Sequence, residues 1–157
     1  GPISRTHLLA VKCAACCFPC SFIMCIQYAG AKIFFKMPVG NITLFVLAYL
    51  CTIFCFVGMM MLISTLGRTE QSAGGAGWAL LMIMAMLVGG MMPLYFMPAW
   101  LRSFSNISPV KWGIYALEGA IWRKFSFVEI AVPCLILLVI GFTSFLLGVF
   151  RLSRQQE

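Results

Sequence analysis

Aspartate is missing from this 157-residue chain, and histidine occurs once, as His7. A phosphate-cradling G-x-x-x-x-G-K-[ST] loop is missing too, so the chain cannot itself hold and hydrolyse ATP. With so few acids, bases and nucleophile partners, nothing in it supports catalysis, and it reads as a protein that is not an enzyme. Charge of either sign is scarce: 10% of the residues are Asp, Glu, Lys or Arg, against roughly 25% in an ordinary globular chain. That scarcity excludes a soluble domain. A folded unit of about 150 residues leaves around 30% of its unfolded surface exposed, and the polar side chains to cover that surface are not here.

What is present is apolar. Hydrophobic residues make up 62% of the chain, and they fall in uncharged stretches at 13–31, 37–67, 71–101 and 130–150. A bilayer core of about 30 Å takes roughly 20 helical residues, so each stretch is long enough to cross. The expected fold is an all-α integral membrane protein with about four transmembrane helices, at 13–31, 42–66, 74–95 and 130–150. The start at Gly1, without Met, reads as that of a fragment or trimmed chain.

The formal charge of +7 comes from eleven Lys and Arg against Glu70, Glu118, Glu129 and Glu157. The basic residues sit in ones and twos between apolar runs, as membrane-flanking anchors do, so no nucleic-acid partner is indicated and the lipid bilayer is the expected surroundings. Charge does not orient the chain. With Gly1 inside, Arg5, Lys12, Arg68, Arg151 and Arg154 lie on one side and Lys32, Lys36, Arg102, Lys111, Arg123 and Lys124 on the other, a near tie.

The segment 97–129 differs from the rest. Trp100, Trp112, Tyr115 and Trp122 lie in it at mixed polarity, the composition of a membrane interface and not of a span. Trp100, Phe104 and Ile107 share one helical face, Pro109 breaks that helix, and Trp112, Tyr115, Gly119 and Trp122 then line a second. The segment is expected to form an interfacial or re-entrant helix pair before the last span. Glu118 beside the second stripe is either a buried functional charge or an interfacial residue partnered by Lys111 or water.

Eight cysteines invite a metal reading. Cys13, Cys16, Cys17 and Cys20 fall on one helical face, and a soft-metal carrier using that stripe is one alternative function; a structural membrane anchor is another. Against the metal reading, Cys also serves as a small apolar residue that lets membrane helices pack, and Cys51 and Cys55 read the same way; no metal ligands are assigned. Gly141, Ser144 and Gly148 form a further small-residue series. Pro19 inside the first span is expected to kink it.

Three motifs, in order, carry a resemblance. Pro2-Ile3-Ser4-Arg5-Thr6-His7-Leu8-Leu9 followed by Lys12 opens the chain, Leu66-Gly67-Arg68-Thr69-Glu70-Gln71-Ser72-Ala73 joins two apolar runs, and Met97-Pro98-Ala99-Trp100-Leu101 leads on to "SNISPVKW" and "ALEGA". Together they resemble the C-terminal part of a type 2 ABC transporter permease, the membrane subunit class built mostly of exporters. The resemblance implies six helices per permease, the first two of them missing here, and 1–12 as a cytoplasmic coupling segment. Ser4, Arg5, His7 and Leu8 would then touch the ATPase subunit, with Ser4 capping a short surface helix over 4–9. Residues 97–129 would lie outside, with Pro98, Trp100, Pro109, Trp112 and Glu118 forming an outer gate. It further implies an ABC ATPase partner that carries the ATP and Mg, no cofactor in this chain, a second permease copy or homologue, and a multi-pass place in the cell's inner (plasma) membrane.

Overall fold

The computed structural model describes residues 5–36, 38, 40–89 and 93–154, and within these it describes no side chain for Arg5, Thr6, Leu8, Leu9, Phe35 or Leu94. Every described element is helical: α1 (Arg5–Phe35), α2 (Ile42–Leu66), α3 (Glu70–Leu87), α4 (Ala99–Phe104), α5 (Pro109–Ile121) and α6 (Phe127–Arg154), with single 3₁₀ turns at Leu94–Phe96 and Ser105–Ile107. The protein is an all-α membrane protein.

Local chemistry sets the helix starts. Asn41 accepts from the Thr43 amide at 3.1 Å and caps α2, and Thr69 does the same for α3 through the Ser72 amide. Pro109 takes the first position of α5, where its missing N–H costs nothing. At the head of α6, Glu129 reaches back to accept from both the amide and the hydroxyl of Ser126, the return half of a capping box. α1 runs unbroken through Pro19.

Among the described residues three helices are long and apolar enough to cross a membrane: Ala10–Phe34 within α1, Ile42–Leu66 and Phe127–Arg154. The expected fourth span, 74–95, differs. The helix there is Glu70–Leu87, about 27 Å long, and it opens on Glu70, Gln71 and a run of small residues, which dilutes its hydropathy. Residues 90–92 of the expected span lie outside the described residues.

α2 and α6 run parallel and form the core. Leu44, Ala48, Cys51, Cys55 and Met59 of α2 are buried with Ile130, Cys134 and Leu137 of α6. Glycine allows the approach: a Cβ on Gly58 would stand 2.3 Å from the Gly141 carbonyl oxygen, and one on Gly141 would stand 2.8 Å from the Cys55 Cα. In lipid, where apolar surface gains nothing by leaving its surroundings, backbone contact of this kind is what joins helices.

α5 lies against this pair, antiparallel to the first half of α2. Gly113 faces Thr52, and Gly40 sits beside Ala120. α1 is different. None of its apolar window is buried, against 44% for α2 and 33% for α6.

Candidate functional site

The positions expected to meet an ATPase open the first helix. Ser4 lies outside the described residues, as do the side chains of Arg5 and Leu8; His7 is exposed. The short separate helix expected over 4–9 is instead, from Arg5 onward, the first turns of the 31-residue α1. No Gly or Pro stands between Arg5 and Cys13 to interrupt it. The Arg68-Thr69-Glu70 connection lies at the same end of the bundle, and its threonine is the cap of α3.

At the opposite end, 97–129 folds back on the core. Pro98 precedes α4, and Trp100, 64% exposed, meets Phe104 edge to face at 6.4 Å. The α4–α5 corner is held by side chains: Ser105 donates to the Arg102 carbonyl at 2.7 Å, the Lys111 ammonium donates to Asn106 Oδ1, and Trp112 Nε1 donates to the Asn106 carbonyl at 2.8 Å. Ser105 and Pro109 are buried here, whereas the Ser108 hydroxyl is buried with no hydrogen-bond partner among the described residues.

Two details belong to the packing of this segment. The face of α5 turned to the core carries Gly113, Ala116 and Ala120, not the aromatic stripe, because small side chains let α5 come within contact of Thr52. Of the stripe only Gly119 is buried; Trp112 and Tyr115 are half-buried, and Trp122 is exposed. The Tyr115 and Phe125 rings meet at 5.3 Å, tilted by 56°, and with Trp112, Lys111 and Glu129 they line a cleft of about 450 Å³. Glu118 is exposed and pairs with Arg123 at 3.7 Å. Lys111 is not its partner, being engaged by Asn106 and Ser105.

The cysteines divide. Cys51, Cys55 and Cys134 are buried in the α2–α6 seam, whereas Cys16, Cys20 and Cys25 on α1 are exposed. All are free thiols. Among the described residues no three His, Cys, Asp or Glu side chains come together as a metal-binding group, so the stripe of Cys13, Cys16, Cys17 and Cys20 lies along one helix without converging.

Apolar helices joined through glycine, two basic ends and a short helix pair folded against one end of the bundle define a helical membrane protein. A family model for the ABC-2 type transporter matches residues 2–122, and the chain belongs to that family. It is therefore a membrane-spanning permease of the ABC transporter class, and its family implies association with an ABC ATPase subunit. Comparison with curated proteins gave no match, and comparison with solved structures gave none.

Proposed function

We propose that the chain is the permease part of an ATP-driven exporter in the cell's inner (plasma) membrane. It works as a dimer with a second permease copy or homologue, while separate ATPase subunits bind ATP and Mg. Ser4, Arg5, His7 and Leu8 form the coupling surface. Pro98, Trp100, Pro109, Trp112 and Glu118 belong to a re-entrant outer gate.

The observation that carries this reading is the continuity of α1. One helix of 31 residues joins Arg5 to Phe35, about 46 Å. A displacement of its first turn is then delivered across the membrane as a rigid-body movement. The gate reading is supported by α5, whose Gly113 meets Thr52, the middle of α2, so the segment reaches about half-way along that helix before α6 returns.

The test is charge reversal at Arg5. In the full transporter reconstituted with its ATPase subunit, Arg5→Glu is expected to lower both transport and substrate-stimulated ATP hydrolysis about tenfold, a coupling loss of ordinary size. Unchanged stimulation and transport would count against a coupling role for this end of α1.

A further inference from the structure

The end where α1 begins and α2 and α6 finish holds a cavity of about 500 Å³ that no role proposed above uses. Lys12, Arg68 and Glu70 line it, with Ser64, Thr65 and Leu152. Lys12 and Arg68 make no ion pair among the described residues, and Arg151 and Arg154 close the same end of the bundle, so positive charge exceeds the single Glu70 carboxylate there.

A second cavity, of about 690 Å³, lies along the inner side of α1, where Ala10 and Cys13 of its lining flank the Lys12 of the first. It runs between Cys13, Cys17 and Ser21 on one wall and Leu50, Phe54 and Phe142 on the other. Its opening follows from how α1 is attached. The Tyr49 hydroxyl donates to the Cys20 carbonyl at 2.6 Å, and Tyr28 meets Phe45 at 5.1 Å. Both ties lie beyond Cys17, and the helix before them stands away from α2 and α6. Ser21 is already bonded to the Cys17 carbonyl, so the groove offers hydrocarbon contact and thiols and leaves a polar solute little to bind. Its span on α2, from Leu47 to Gly58, is about 17 Å and passes the middle of that helix.

A basic pocket next to an apolar groove matches an amphiphile with an anionic head. Charge complementarity selects the head, since basic pockets between membrane helices attract anionic lipid. We propose that the cleft between α1 and the α2–α6 pair holds one anionic phospholipid, its phosphate at Lys12 and Arg68 and one acyl chain along the groove. The lipid fills the space that side chains leave between α1 and the core.

The test uses the full chain in phosphatidylcholine vesicles doped with phosphatidylglycerol that carries a photoactivatable diazirine at mid-chain. After irradiation, adducts mapped by mass spectrometry are expected on Cys13, Cys17, Leu50 and Phe54. Unlabelled phosphatidylglycerol should compete, and inorganic phosphate should not. Lys12→Gln with Arg68→Gln should weaken the labelling about 25-fold, two basic contacts' worth. Adducts spread over the outward Phe18, Phe22 and Phe34, or equal labelling by a diazirine phosphatidylcholine, would overturn the proposal, and both are read on the unaltered chain. Competition by inorganic phosphate would overturn it in favour of a free-anion site. Loss of labelling on adding the ATPase subunit would overturn it in favour of protein contact at the basic end.

Discussion

The α2–α6 seam and the α1 flank are written in the same apolar alphabet and behave differently. Both sides of the seam bury side chains completely, as at Cys55, Ile130 and Leu137, while Phe18, Phe22 and Phe34 on α1 are more than 60% exposed. Hydropathy does not separate them, because each is apolar enough to cross a membrane. Side-chain size at the contact does. Gly58, Gly141 and Gly148 bring the α2 and α6 backbones into contact, whereas α1 meets α2 through the larger Tyr28 and Tyr49, by a ring contact and by hydrogen bonding of the Tyr49 hydroxyl. In lipid a helix pair is made by how near the backbones can come and not by how greasy the helices are.

Breaking the seam is the most damaging way to test that contrast. Gly58→Ala places a methyl on the Gly141 carbonyl, where no flexible side chain can yield; a loss of about 3 kcal/mol is expected, the upper part of the overpacking range. Thermal unfolding in detergent reads it. An unchanged midpoint would show that the two backbones are farther apart than described here. A smaller effect is expected from Thr69→Ala, which removes the α3 cap at about 1 kcal/mol and should raise amide exchange in the first turn of α3 while the seam stays protected.

Tyr49→Phe sharpens the comparison from the other side. It deletes the hydroxyl bonded to the Cys20 carbonyl, a contact of the kind that averages about 0.6 kcal/mol in membrane bundles. Global stability should barely move, while the distance between spin labels on α1 and α2 broadens. The smallest change belongs to Cys16→Ala with Cys20→Ala, two exposed positions on α1, expected to stay within about 0.5 kcal/mol and to leave transport intact. Lost transport would revive the thiol-dependent carrier.

How much of this could be read beforehand follows the same division. Features that depend on local chemistry were legible: the apolar α2 and α6, the close-packing series Gly141, Ser144 and Gly148, and the family motifs. Choosing between faces was harder. Along α5 the aromatic series Trp112, Tyr115 and Trp122 and the small series Gly113, Ala116 and Ala120 have equally good helical spacing, and only the position of Thr52 decides which one turns inward. Glu118 was hard for a similar reason, since its partner Arg123 lies past the end of α5, in a turn where Lys124 adopts a positive φ of 49°. Gly58 stands alone in an apolar run, and its meaning comes from Gly141, 83 positions later. On α1 the cysteines read as packing residues, yet Cys16, Cys20 and Cys25 are exposed, because nothing within the helix itself says how far from its neighbour it will stand.

The central claim, that this chain is the membrane half of an ATP-driven machine, is tested most directly by purifying the full-length subunit from its own membrane and identifying what accompanies it by mass spectrometry. The account predicts a P-loop ATPase in the preparation, lost when residues 4–9 are scrambled. A preparation free of any ATPase but carrying zinc or copper would contradict it and turn attention to Cys13, Cys16, Cys17 and Cys20.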